Sequence, residues 1–120
     1  MTNADLSLMP PDPDETGPYA LVGTARAKPD LADVLERRLV LLVEPTRREP
    51  GALAYHVHRD RVDRRLFVFY EAWSDIEALR AHLTQPYIQA FLAERKDLLD
   101  GDLDVRWLRM SSPYPRTDDT

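Results

Sequence analysis

The stretch Leu66-Phe67-Val68-Phe69-Tyr70-Glu71-Ala72-Trp73 decides the fold of this 120-residue chain. Every residue in it except Glu71 is apolar or aromatic, so it lacks the alternation of a strand that has one face in water. A strand of this composition is covered on both faces of its sheet. The stretch therefore predicts a strand whose two faces both need packing partners.

A second strand precedes this one and pairs with it. Residues 53–58 alternate between two sets of side chains, Leu53, Tyr55 and Val57 against Ala54, His56 and His58. Such alternation is typical of a β-strand. Residues 60–64 are charged or turn-forming, apart from Val62, and join the two strands. We therefore expect a hairpin.

A strand and a helix are predicted before the hairpin. Residues 19–27 suit a strand and lie between Pro18 and Pro29. Pro29 begins a helix. Pro45 should interrupt this helix, and Pro50-Gly51 should end it. Apolar residues spaced by three and four form one helix face: Leu31, Val34, Leu35, Leu39, Leu42 and Val43.

A helix pair and a last strand are predicted after the hairpin. Ser74-Asp75-Ile76-Glu77 matches a capping box in which Ser74 is the N-cap. The helix that follows should break at Thr84-Gln85-Pro86 and restart. Residues 103–110 alternate apolar and charged side chains and read as a strand.

The resulting order, β-α-β-β-α-β, is that of the ferredoxin-like α+β fold, an antiparallel four-stranded sheet with its helices on one face. The opposite face also needs cover, since the strand at 66–73 is apolar on both sides. No element of so short a chain is left to supply it. A second copy, packed face to face, would do so, and we therefore expect a homodimer that forms an α+β barrel.

Composition sets limits on the function. The chain has no cysteine, which excludes disulfides and thiolate chemistry. It has no apolar run long enough for a membrane span and no secretory signal pattern, so a cytoplasmic location is expected. The net charge of −5 lies in the two ends, and the neutral middle argues against nucleic-acid binding.

The ends also set the domain boundaries. Residues 1–18 are acidic and proline-rich, and we expect a disordered or arm-like tail there. Residues 111–120 form a second tail. The folded domain is predicted to span residues 19–110.

Three segments carry a resemblance to a known family: Glu44 to Gly51, Phe69 to Trp73, and Ala81 to Phe91. In this order and at these separations they resemble the antibiotic biosynthesis monooxygenase-like family. Its members are small dimeric α+β barrels, several of which oxidise phenol-, anthrone- or quinol-type substrates without a metal or an organic cofactor. The resemblance covers residues 19–110 and implies the same fold here.

The resemblance also bears on individual residues. In the oxygenase branch, the tryptophan that matches Trp73 lines the substrate cavity. Tyr87 stands where many members have a histidine. The position of the catalytic histidine of the haem-degrading branch falls near Leu92, which argues against that activity.

Taken together, these observations lead us to expect a cofactor-independent monooxygenase, with a small aromatic molecule and dioxygen as its partners. Its proton acceptor needs a pKa near neutrality, which suits histidine. His82 is the first candidate and His58 the second, with Trp73 as the third catalytic residue. The predicted substrate-binding residues are Tyr55, Tyr87, Phe91, Arg26 and Glu71. No cofactor and no metal are expected.

Alternatives stay open at the level of sequence. His56 and His58 share one strand face, as metal-ligating histidines can, but the sequence supplies no clear further ligands. Each aromatic or histidine candidate could also be ordinary packing. A non-catalytic ligand-binding dimer, or a cofactor-free isomerase or cyclase, would use the same cavity.

Overall fold

The computed structural model describes residues 8–112, and the expectations for residues 1–7 and 113–120 lie outside that range. Its sheet is antiparallel and four-stranded, with the order β2-β3-β1-β4. The strands are β1 (Tyr19–Arg26), β2 (Ala52–Arg59), β3 (Leu66–Trp73) and β4 (Asp104–Arg109). The predicted ferredoxin-like fold is confirmed. Within residues 8–112, no helix is long and apolar enough to cross a membrane.

Four helices follow the predicted order: α1 (Ala32–Leu41), α2 (Val43–Arg47), α3 (Ile76–His82) and α4 (Pro86–Leu98). The first break lies at Leu42, upstream of Pro45. Pro45 has no N–H to donate to the carbonyl four residues earlier, so the chain breaks before it, and the proline lies in the first turn of α2.

The predicted cap of the third helix was wrong by one residue. Asp75 is the N-cap of α3, and its Oδ1 accepts a hydrogen bond of 2.8 Å from the Ala78 amide. Ser74 lies instead against Gly51, whose carbonyl accepts a bond of 2.8 Å from the Ser74 amide. Gly51 has a φ of +83°, and a Cβ there would lie 2.5 Å from Ala78 Cβ. This contact fixes the start of β2 beside the start of α3.

A β-bulge sets which side chains of β2 face the helices. Ala52 pairs with Trp73 and Ala54 with Ala72, so Leu53 is the extra residue of β2. Beyond the bulge Tyr55 pairs with Glu71, and Tyr55 is buried while His56 is exposed. The bulge therefore turns Tyr55 toward the core and His56 toward the opposite face.

The core lies between the helices and one face of the sheet. Leu21, Phe67, Phe69 and Trp73 point into it from β1 and β3 and are buried. The residues between them, such as Val22, Val68 and Tyr70, lie on the other face and are half-buried in the single chain. This second face carries no helix of the described chain.

The segment before β1 lies on the domain. Tyr19 Oη donates a hydrogen bond to the Met9 carbonyl, and Leu8 packs against the core. Arg109 on β4 forms ion pairs with Asp12 at 3.2 Å and Asp14 at 3.1 Å. These contacts hold residues 8–18 along the edge of the sheet at β4.

Candidate functional site

An apolar cavity of about 60 Å³ lies between the sheet and the helices. Its polar lining consists of Tyr55, Glu71 and His82. The other lining side chains are apolar or aromatic: Leu21, Leu39, Leu42, Val57, Phe69, Leu83, Ile88, Phe91, Leu92, Leu103, Val105 and Trp107. Since one water needs about 10–15 Å³ measured in this way, the cavity has room for several waters or a small ligand.

His82, the last residue of α3, is 2% exposed and lies between two carboxylates. Its Nδ1 is 3.0 Å from Oε2 of Glu49, and its Nε2 is 3.7 Å from Oε1 of Glu71. The rings of Trp73 and Tyr55 pack beside it, with centroids at 4.6 Å and 5.8 Å. Burial lowers the pKa of His82, and the carboxylate of Glu49 partly opposes this effect. The imidazole is therefore neutral at pH 7.

Glu71 supplies the carboxylate on the cavity side of His82. Because it lies on the helix-facing side of β3, it is only 5% exposed. The Trp73 indole N–H donates a hydrogen bond of 3.1 Å to its Oε1. Burial raises the pKa of Glu71 to about 7; the bond from Trp73 opposes this rise, and the charge of Glu49 adds to it. Glu71 can thus change its protonation state near neutral pH.

Glu49 supplies the second carboxylate, from the segment between α2 and β2. Its side chain is 7% exposed. The Tyr87 hydroxyl, in the first turn of α4, donates a hydrogen bond to its Oε2 and lies 3.3 Å from the Pro45 carbonyl. Burial and the neighbouring carboxylate of Glu49 raise the pKa of Tyr87. Tyr87 therefore stays protonated and holds Glu49 in place.

Tyr55 completes the polar group. Burial, followed by the charges of Glu71 and Glu49, raises its pKa well above the ordinary value for tyrosine. Thr46, which is fully buried, slightly offsets this rise, although its hydroxyl lies outside hydrogen-bonding geometry. Tyr55 is therefore a neutral hydroxyl beside the two carboxylates. We call Glu49, Glu71, His82, Tyr87 and Trp73 the carboxylate–histidine cluster.

The structure brings most of the predicted site residues together. His82, Trp73, Tyr55, Glu71 and Tyr87 lie in or against the carboxylate–histidine cluster, and Phe91 lines the cavity.

Two predicted residues lie elsewhere, on the opposite face of the sheet. Arg26 forms an ion pair with Asp63 at 2.6 Å, and His58 is exposed, with its Nδ1 3.2 Å from the Val68 carbonyl. The His56 and His58 rings are 6.2 Å apart. Within residues 8–112, no group of three or more His, Asp or Glu side chains is arranged to hold a metal ion.

Glu49 was missing from the predicted site. It belongs to the Glu49-Pro50-Gly51 motif, so the sequence did mark the segment. However, its partner His82 is 33 residues away. No local pattern indicates that these two side chains meet.

This arrangement can bind and deprotonate a weakly acidic ligand. An apolar cavity excludes water from a ligand, while Glu71 and His82 at its wall can accept a proton near neutral pH. The fold and the site together define a small ferredoxin-like α+β protein with an internal acid–base cavity.

Comparison with known proteins identifies the family. The family model for antibiotic biosynthesis monooxygenase matches residues 18–94, and the chain belongs to this family. YcnE of Bacillus subtilis, provisionally named a monooxygenase, is 30% identical over 80 residues, which are 67% of this chain and 84% of YcnE. The predicted family is confirmed.

Two further relatives support the match. The crystal structure of PA3566 from Pseudomonas aeruginosa has a TM-score of 0.76 and 35% sequence identity, covering 80% of this chain and 96% of PA3566. The uncharacterized protein sll1783 of Synechocystis is 29% identical over 89 residues, 74% of this chain. That match spans only 60% of the length of sll1783.

Proposed function

We propose that this protein is a cofactor-independent monooxygenase of a small phenolic, quinol or anthrone-type aromatic substrate. One observation carries the proposal: the apolar cavity has Glu71, His82 and Tyr55 as its polar lining. Flat apolar walls suit an aromatic ring, and the polar groups suit a phenolic hydroxyl. Family membership and the provisional name of YcnE favour oxygen chemistry.

The reaction requires little from the protein. A deprotonated phenol or anthrone is electron-rich enough to pass an electron to dioxygen. One oxygen atom then enters the product, and the other leaves as water together with the two hydrogens removed from the substrate. The protein has to bind the substrate, accept its proton and exclude water. The cavity and the carboxylate–histidine cluster suit these tasks.

We assign the roles of the side chains as follows. His82 belongs to the acid–base machinery, and its buried, neutral ring can accept a proton. The face of Trp73 holds the ring of His82, and Phe91 supplies part of the apolar wall. Tyr55 is a neutral hydrogen-bond donor for a phenolate.

We also propose that the protein acts as a homodimer in the cytoplasm. The sheet face that carries no helix of residues 8–112 presents a half-buried row of apolar and aromatic side chains on β1 and β3, including Val22, Val68 and Tyr70. An antiparallel sheet with such a face is stabilised by a second layer, and a second copy of the chain supplies one. Sedimentation equilibrium of the purified protein tests this assembly.

Oxygen uptake tests the activity. Metal-free protein is mixed with a panel of phenols, hydroquinones and anthrones, and uptake is compared with that of His82→Ala and Trp73→Ala. His56→Ala is the matched control, because His56 lies on the opposite face of the sheet. We expect uptake by the native protein and by the control, and a loss of about 100-fold or more in His82→Ala.

Two results would count against an oxygenase. No uptake above the buffer rate with any compound would favour the non-catalytic binding alternative. Conversion of a substrate without oxygen consumption would instead favour an isomerase or cyclase.

A further inference from the structure

We propose that Glu71 is the catalytic residue that receives the substrate proton, and that His82 and Glu49 form a proton store behind it. Glu71 shares the proton with this store while the substrate is an anion and returns it when an oxygen atom leaves as water. This inference rests on the proposed function and names the residues that perform its proton steps.

The first step of the argument is access. Among the side chains that line the cavity, Glu71 is the carboxylate, and Glu49 does not reach the cavity wall. The Trp73 indole N–H fixes Oε1 of Glu71 from the same strand. Glu71 can thus meet a substrate hydroxyl inside the cavity. Nε2, the nitrogen of His82 that does not contact Glu49, faces Glu71 itself.

The second step is the tautomer of His82. Ionised Glu49 can only accept a hydrogen bond, and its Oε2 lies 3.0 Å from Nδ1 of His82. Nδ1 must therefore carry the hydrogen, which leaves the lone pair of Nε2 directed toward Glu71. The 3.7 Å between Nε2 and Oε1 is longer than a hydrogen bond, so a proton passes only when the two side chains approach.

The third step is charge. When Nε2 accepts a proton from Glu71, His82 becomes an imidazolium between two carboxylates, and Glu49 stabilises it directly. Tyr87 orients Glu49 by donating its hydroxyl hydrogen. The groups that face Glu71 from the neighbouring elements are Tyr55 on β2, His82 on α3 and Glu49 before β2.

The proton balance closes over one turnover. The substrate O–H bond breaks, and its proton goes to Glu71, which shares it with Nε2 of His82. The substrate anion forms a C–O bond to dioxygen; the O–O bond then breaks as that carbon becomes a carbonyl, and the hydrogen of the carbon leaves with the outer oxygen as hydroxide. The stored proton returns through Glu71 to the oxygen atom that leaves as water, so the cluster ends in its starting state.

A ligand-free measurement tests the coupling. The carboxyl carbon of Glu71 and the ring nitrogens of His82 are followed by NMR across a pH series, in the native protein, in Glu49→Gln and in Glu44→Gln. Glu44 lies in α2, close to Glu49 in the sequence, but it is exposed and pairs with Arg48. Glu44→Gln is therefore the matched control.

In the native protein we expect the titration of Glu71 near its pKa of about 7. In Glu49→Gln the midpoint should fall by about one pH unit, because a negative charge is lost across the imidazole ring. The Nδ1–H tautomer of His82 should also lose its predominance. An unchanged Glu71 midpoint in Glu49→Gln would overturn the proposal.

A second variant tests the same coupling in case the Glu49→Gln protein does not fold. Tyr87→Phe keeps the shape of the side chain and removes one hydrogen bond to Glu49. Glu49 should then accept more strongly from Nδ1 and raise the pKa of His82. No movement of the His82 titration in this variant would also contradict the store.

Turnover separates this inference from the proposed function. If a phenol is oxidised, Glu71→Gln should lower kcat by about 100-fold or more with little change in KM. Glu49→Gln should lower kcat less and move the pH profile, which a purely structural role would not do. If no compound is oxidised, the oxygenase proposal fails, and the NMR coupling still decides whether the three groups share a proton.

Discussion

Nδ1 of His82 lies 3.0 Å from Oε2 of Glu49 and thereby joins the end of α3 to the segment that leads into β2. Both side chains are almost completely buried. A buried polar contact of this kind is costly to break from one side, because the remaining partner loses its bond without regaining water. The contact thus serves the fold as well as the chemistry.

Replacement of Glu49 tests the structural part of this contact. Glu49→Ala leaves His82 and Tyr87 without their common acceptor, so we expect a loss of about 1–3 kcal/mol in the free energy of unfolding. Urea denaturation followed by circular dichroism measures it. Glu44→Ala, on the exposed side of α2, should change stability by less than about 0.5 kcal/mol. Equal effects of the two variants would contradict a structural role for the contact.

Glu71 predicts a specific dependence of stability on pH. Its pKa is raised from 4.5 to about 7 in the folded state, so the folded chain binds more protons than the unfolded chain between these values. Its contribution therefore falls as pH rises through this window, by roughly 3 kcal/mol in total. His82 acts in the opposite direction: its lowered pKa makes stability fall as the pH drops below about 6.5.

Comparison with Glu71→Gln isolates the contribution of Glu71, because that of His82 is largely common to both proteins. Glutamine also keeps a carbonyl oxygen for the Trp73 indole. The native protein should lose stability relative to the variant between pH 5 and pH 8, as measured by urea denaturation. Parallel pH curves for the two proteins would show that Glu71 is ionised throughout.

The close packing of Gly23 against Phe69 connects the stability of the sheet with the shape of the cavity. A Cβ at this position would lie 2.3 Å from Cζ of Phe69, and Phe69 lines the cavity. Gly23→Ala should displace this ring and lower the free energy of unfolding by about 1–3 kcal/mol. It should also weaken binding of any aromatic ligand.

Gly17→Ala is the control for this substitution, since no atom of residues 8–112 lies within 4 Å of the position that its Cβ would take. Thermal unfolding and ligand titration measure both variants. A Gly23→Ala protein with native stability would mean that Phe69 moves freely.

Arg109 is expected to hold the segment before β1 against the sheet. Arg109→Ala removes the ion pairs to Asp12 and Asp14. These pairs are exposed, so global stability should change by less than about 1 kcal/mol. Amide exchange within residues 8–18 should nevertheless become faster, as mass spectrometry can measure. Arg106→Ala, on the same strand, is the control, and equal exchange in both variants would contradict this role of Arg109.

The sequence was sufficient for the fold because the decisive signals are local. The apolar run at 66–73 and the alternation at 53–58 each specify a strand. Pro45 and Pro86 each indicate that a helix is interrupted, although the first interruption falls at Leu42. The prediction of Ser74 as the cap was wrong because Asp75 beside it can cap equally well. The contact of Ser74 with Gly51 involves a distant part of the chain, which the local pattern does not show.

The site was only partly predictable, because its geometry is not local. His82, Trp73 and Glu71 could be predicted from the sequence, because they are polar or aromatic residues at the ends of apolar elements. Glu49 was not, since its burial depends on the meeting of three separate segments. The face on which His58 lies depends on the bulge at Leu53, and residue type does not reveal a bulge.

That bulge has a consequence for how the chain could change. Without it, pairing from Ala52 opposite Trp73 would continue regularly and place His56 opposite Phe69 and Tyr55 opposite Tyr70. The histidines of β2 would then enter the core, and Tyr55 would leave it. One strand therefore encodes two different interiors, and the bulge selects between them: if Leu53 were deleted, Ala54 would still pair with Ala72, and Tyr55 would stay in the core.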